Sequence, residues 1–197
     1  MKSFSCLLLL SVLFASCKKT VDRSVTVNIN PVKDGYTEYI IAAAGHYAAG
    51  NVYKPISNQS EMRFMAWFDS SCIYTNADQG NLTDINKLYG FGDCNAGHQE
   101  SSARFGWNWN GKAIAIYAYC YSNNKREWKL LGSVQPGQPS DMSIKVLPNQ
   151  YIFRFNNKTE TMERSCSTDL IEGYQLYPYF GGDETAPHEM KIYIKDL

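Results

Sequence analysis

Six side chains between positions 98 and 121 carry groups suited to holding a saccharide: His98, Arg104, Asn108, Tyr117, Tyr119 and Tyr121. Tyrosine rings stack on sugar faces, and an arginine fork or an asparagine amide binds hydroxyls and carboxylates. A lyase acting on uronic acids needs more: a base for the C5 proton and a cation to neutralise the carboxylate. Tyr119 or His98 would be the base and Arg104 the neutraliser. This set is not a specific catalytic signature, and a structural Arg104–Glu100 pair would explain the charges equally well. The strings GxSxG, HExxH and the phosphate-binding P-loop are all absent. Binding without catalysis is therefore the first reading. A polysaccharide lyase or glycoside hydrolase on the same scaffold is the alternative, and a structural or protein-interaction role is the third.

These side chains share a face only if strands place them there. Residues 103–121, ARFGWNWNGKAIAIYAYCY, read as a β-hairpin turning at Asn110-Gly111. Asn-Gly suits the type I′ turn, whose two central residues both need φ > 0. That turn sets Trp109 opposite Lys112, Trp107 opposite Ile114 and Phe105 opposite Ile116. One face then holds Phe105, Trp107, Ile114, Ile116, Ala118 and Cys120 for the core. The other holds Arg104, Gly106, Asn108, Ala115, Tyr117, Tyr119 and Tyr121, with Gly106 and Ala115 as a shallow floor. A strand extended back to His98 adds His98, Glu100 and Ser102 to that side. After Tyr121, a three-residue loop at 122–124 sends Trp128 and Leu130 to the core side; it is favoured over a two-residue Asn123-Asn124 turn, which would move Trp128 to the tyrosine face and set Glu127 and Lys129 against the core.

The rest of the chain repeats this grammar. Residues 36–43, 61–68, 85–91, 142–147, 151–155, 159–162, 174–180 and 191–194 read as strands separated by Asn, Gly and Pro turns. In residues 151–155, Tyr151, Phe153 and Phe155 share one face. Pro178 marks an edge strand or a bulge. No helical period runs longer than two turns. The expected fold is all-β: an antiparallel β-sandwich of jelly-roll type spanning residues 34–197.

Composition sets further bounds. Residues 1–16 hold Lys2, no acid and an apolar run at 4–14 that is too short to span a membrane. The segment Ala15-Ser16-Cys17 resembles a bacterial lipobox, which implies cleavage before Cys17, lipidation of its thiol and a tether over residues 17–33. The membrane is then a partner through the Cys17 lipid, and the location is the bacterial cell envelope. The remaining 181 residues carry 18 basic and 19 acidic side chains, net −1, which argues against nucleic acid. No sequence pattern calls for a cofactor. The scattered His46, His98 and His188 make no local metal motif, and Asp183-Glu184 reads as a solvated turn rather than a calcium site. Cys72, Cys94, Cys120 and Cys166 allow one or two disulfides in an oxidising compartment, or buried thiols, a role that suits Cys120.

Several strings then converge. His98, residues 102–107 (SARFGW), 116–119 (IYAY) and 176–188 (LYPYFGGDETAPH) resemble a family of uncharacterised lipoproteins of Bacteroidetes-type bacteria. The closing segment is also similar to the last strands of concanavalin-like jelly rolls in polysaccharide lyases and glucanases, although the acidic cluster of the glucanases is missing. The resemblance implies an envelope-anchored jelly roll and assigns no reaction.

Overall fold

The computed structural model describes residues 34–81 and 83–197. The signal segment, Cys17 and the tether over residues 17–33 lie outside the described residues. Twelve strands follow in order: β1 (Thr37–Ile41), β2 (Pro55–Ile56), β3 (Glu61–Phe68), β4 (Asn86–Gly92), β5 (Ser102–Trp109), β6 (Ile114–Ser122), β7 (Lys125–Val134), β8 (Pro139–Leu147), β9 (Gln150–Phe155), β10 (Lys158–Glu163), β11 (Gly173–Leu176) and β12 (Met190–Asp196). They form two six-stranded antiparallel sheets, ordered β1-β12-β3-β8-β9-β10 and β2-β11-β4-β5-β6-β7. The architecture is the jelly-roll sandwich that the strand spacing predicts. Among the described residues no helix is long and apolar enough to cross a membrane.

Alternation builds the core. Met62, Phe64, Ala66 and Phe68 point inward from β3, and Tyr151, Phe153 and Phe155 from β9, all buried. They meet Phe105 and Trp107 from the other sheet, with Phe64–Phe105, Phe153–Phe105 and Phe68–Trp107 ring centroids 5.7, 5.3 and 5.3 Å apart. Tilted and edge-on contacts of this kind align the negative ring face with a positive edge. The outer face of β3 carries Glu61, Arg63, Met65 and Trp67, none of them fully buried.

The central hairpin keeps its expected faces but not its expected register. Trp109 pairs with Ile114, Trp107 with Ile116, Phe105 with Ala118 and Arg104 with Tyr119. The connection is a four-residue loop, not a two-residue turn at Asn110-Gly111. The Asn110 side chain accepts from the amides of Lys112 (3.1 Å) and Ala113 (3.0 Å), and Asn110 N donates to Ala113 O (3.1 Å). An asparagine that closes its own turn in this way competes with the type I′ geometry. Because the register moves by two residues, every side chain stays on its face. Phe105, Trp107, Ile114, Ile116 and Ala118 are fully buried and Cys120 nearly so.

The next connection overturns the expectation more sharply. Asn123 and Asn124 both take positive φ (51° and 62°), and Ser122 pairs directly with Lys125. This is the two-residue turn, so Trp128 lies opposite Tyr119 on the outer face and is 49% exposed. Glu127 and Lys129 take the inner side, which costs little because β7 is the last strand of its sheet. There Lys129 Nζ reaches out to Thr161 O (2.9 Å) and to Glu160 (3.4 Å) on β10. Inward charges also keep an edge strand from pairing with another chain. A bulge between the Tyr117–Leu130 and Ile116–Gly132 pairs then rephases β7, burying Leu131 and Val134 and exposing Leu130.

Two links hold the loop ends. Cys94 and Cys166 form a disulfide, and Cys72 and Cys120 are buried free thiols. Beside the disulfide, Arg164 and Asp93 make a fully buried ion pair (2.8 Å). Tyr151 Oη and the Glu172 amide each donate to Asp93 at 3.0 Å, and Arg164 also donates to Leu170 O (2.8 Å). This satisfaction of every member is what makes a buried charge pair tolerable.

Candidate functional site

The outer face of the β2–β7 sheet is a groove of about 570 Å³. Arg104 of β5 and Tyr119 and Tyr121 of β6 form its floor, Lys87 of β4 and Tyr174 of β11 one flank, and Arg126 of β7 the other. Its upper wall is built from the 47–53 and 177–183 segments. His46 joins these two segments: its ring stacks on Tyr179 (5.2 Å, 9°) and its Nδ1 lies 2.9 Å from Phe180 O.

Local irregularities place the cations. Lys87 pairs with Gly106, whereas Gly90 pairs with Arg104, so one extra residue bulges from β4 between them. The bulge sends Leu88 and Tyr89 to the core and leaves Lys87 on the groove side. Gly90 is required there, since a Cβ would stand 2.2 Å from Ala103 O and 2.5 Å from Arg104 Cα. Lys87 Nζ donates to Gly181 O (3.1 Å) and sits 5.4 and 5.6 Å from the Tyr119 and Tyr179 ring centroids. Gly181 has φ +83°, and a Cβ on it would lie 1.9 Å from Glu184 O. Glu184 in turn accepts from the amides of Ala77 (3.1 Å) and Asp78 (2.7 Å) and from Asn81 (3.1 Å), bonds that hold its carboxyl below the usual carboxylate range. Asp183-Glu184 is thus in part a clamp on the 77–81 turn, not merely a solvated turn.

Electrostatics distinguish the groove from the rest of this near-neutral chain. Arg104, Lys87 and Arg126 line it, against the single carboxylate of Asp183. Arg104 is 8% exposed, its Nε has no hydrogen-bond partner, and among the described residues it forms no ion pair. The expected alternative of an Arg104–Glu100 pair is therefore not realised. Its guanidinium carbon lies 5.6 Å from the Tyr119 centroid. Burial pushes the guanidinium pKa down, offset in part by the Tyr119, Tyr121 and Tyr174 oxygens. Burial, with Arg104 adding to it, also lowers Lys87 to about 8. Burial and then Tyr121 raise the Tyr119 phenol to about 12. Burial, with Arg104 adding to it, lowers the His98 pKa and so favours the neutral ring.

The structure brings together four of the six residues singled out from sequence: His98, Arg104, Tyr119 and Tyr121. His98 arrives by a different route. β5 begins at Ser102, and His98 stands in a turn, where its backbone amide donates to Tyr174 Oη (3.1 Å) and its Nδ1 lies 3.3 Å from the same oxygen. Asn108 and Tyr117 do not line the groove. They bond each other (Tyr117 Oη to Asn108 Oδ1, 3.2 Å), and Asn108 Nδ2 donates to Asp84 O (3.2 Å). The Gly106–Ala115 floor is likewise filled: a Cβ on Gly106 would meet Ile85 Cγ2 at 2.4 Å. Tyr119 is only 3% exposed, so its ring lies under the cations and offers no open stacking face. Lys87, Arg126 and Tyr174 escaped sequence reasoning, because a β-bulge, an edge strand and a non-local pairing put them there. The pattern of exposed Arg126 and Trp128 on alternate positions of β7 was the available signal.

No family model matches the chain, and the comparison with curated proteins finds no match. Solved structures do match in fold. Alginate lyase A1-II′, a member of polysaccharide lyase family 7, superposes with a TM-score of 0.52 at 8% identity, over 82% of this chain and 77% of that one. Alginate lyase AlyC3 gives 0.52 at 9% identity, over 84% and 75%. At these identities the likeness is one of fold.

Proposed function

We propose that this protein is an envelope-anchored lipoprotein whose groove binds an acidic oligosaccharide without transforming it. The observation that carries the reading is Arg104: a buried guanidinium with no anionic partner among the described residues, aimed into a groove rich in tyrosine. An unpaired buried charge costs several kcal/mol, on the order of what removing one partner of a buried ion pair costs. A ligand carboxylate or sulfate would relieve that cost and draw on Lys87 and Arg126 as well. The fold shared with alginate lyases supports a saccharide as the bearer of the charge. Tyr119 holds its proton at neutral pH, which favours binding over proton abstraction by that residue.

Titration calorimetry of the protein with uronic-acid oligomers, and with neutral glucan oligomers of equal length, tests this. Binding of the uronates alone, weakening with salt, is expected. Equal binding of both classes, or of neither, refutes the reading. A lyase is the second reading, favoured by one feature: His98 lines the groove together with Arg104, and burial favours its proton-accepting neutral form. Appearance of unsaturated-product absorbance with any uronate polymer, lost in His98→Ala, would establish it. The anchoring part rests on the lipobox-like Ala15-Ser16-Cys17.

A further inference from the structure

Outside the groove, Trp128 is a large aromatic side chain left exposed on the same sheet face. It belongs to the outermost strand, and the Asn123-Asn124 turn sets its phase. Pairing aligns one residue from each of five strands across the sheet: Leu176, Gly90, Arg104, Tyr119 and Trp128. With adjacent strands about 4.8 Å apart, this row spans on the order of 19 Å, the reach of an oligomer rather than of one sugar ring. Leu176, Arg104 and Tyr119 line the groove, and Trp128 lies just beyond it. Arg126 joins the two: it lines the groove, and its guanidinium carbon stands 5.2 Å from the Trp128 ring centroid. Trp128 keeps 49% of its surface open, while the floor ring of Tyr119 is covered.

We infer that Trp128 is a distal stacking subsite for an acidic oligosaccharide that lies across the strands, with its charge on Arg104 and a later ring on Trp128. This rests on the binding reading of the groove. Arg126, in the neighbouring row opposite Tyr121, carries positive charge from the groove to the Trp128 ring, which fits a charged saccharide better than an apolar protein surface. Only a chain long enough to leave the groove would reach Trp128.

The test uses the protein with uronic-acid dimer and hexamer. Trp128→Ala should weaken hexamer binding about fivefold and leave dimer binding unchanged, as loss of one aromatic contact predicts. Trp128→Phe should restore most of the hexamer affinity. The hexamer, and not the dimer, should change the emission that is absent from the Trp128→Phe protein. If Trp128→Ala binds the hexamer like the parent, or loses dimer and hexamer equally, the subsite is refuted. If the parent binds neither oligomer, the groove reading itself fails and the subsite falls with it.

Discussion

Arg104 and Lys87 carry opposite relations between stability and binding. Replacing Arg104 by Met removes an unpaired buried cation while keeping much of the volume. Affinity for a uronate oligomer should fall roughly 10- to 100-fold, the range of a charge-assisted hydrogen bond of about 1.5–3 kcal/mol. Thermal stability should hold or rise, because burial of an uncompensated charge opposes folding. Parallel calorimetric titrations and melting scans check both halves; a large loss of stability would mean that Arg104 serves the fold. For Lys87 the folded pKa, about 8, lies below the ordinary lysine value. The unfolded chain therefore binds more protons in the window between about 8 and 10.5, and the contribution of Lys87 to stability rises with pH across it. Anion binding runs the other way, since the ammonium is lost as pH rises through 8. Uronate affinity measured from pH 7 to 9 should decline, and Lys87→Met should flatten that decline.

Turns decide which strand faces meet solvent. The 110–113 loop and the 123–124 turn both hinge on asparagine, yet they act differently. Asn110 binds the loop amides with its side chain, whereas Asn123 and Asn124 place their backbones at positive φ. A glycine has no Cβ to strain at positive φ, so Asn124→Gly should raise stability, by at most about 1 kcal/mol. A chemical denaturation series would detect this, and a loss of stability would argue against the two-residue turn. Inside the hairpin, Trp107 packs against Phe68 and Tyr74. Trp107→Ala should cost about 3–5 kcal/mol, the usual loss for a fully buried large aromatic. A change near zero in the same series would contradict its burial.

For the molecule as a whole, the strongest long-range constraint is the Cys94–Cys166 link, which closes a 72-residue separation. By chain entropy a crosslink of that span stabilises by about 4 kcal/mol. It ties the turn that holds His98 to the segment leading into β11, next to the buried Asp93–Arg164 pair. The double variant Cys94→Ser, Cys166→Ser should melt well below the parent under non-reducing conditions; coincident melting would show the bond to be dispensable. Anchoring is tested separately: Cys17→Ser should shift the protein from the membrane fraction to the soluble one, and an acylated, membrane-bound variant would overturn the lipid reading.

Alternation and turn residues by themselves determined the all-β class and the division of β5 and β6 into core and groove faces. Those signals are local: a period of two survives a register error of two, which is why the misplaced Asn110-Gly111 turn did no harm to the faces. Arg104, Tyr119 and Tyr121 were legible for that reason. The Asn123-Asn124 turn was not, because local rules allow two loop lengths of opposite parity, and which of them forms depends on what covers β7. Position at the sheet edge, a property of the whole strand order, made Glu127 and Lys129 acceptable inside and released Trp128 to the surface. Lys87 likewise needed the β4 bulge, and Tyr174 needed the pairing of β11 with β4 across 82 residues from Gly92. The concentration of cations against one carboxylate is invisible in a chain with equal acidic and basic counts. Charge is additive along a sequence, but the field of a groove depends on which charges the tertiary structure brings together.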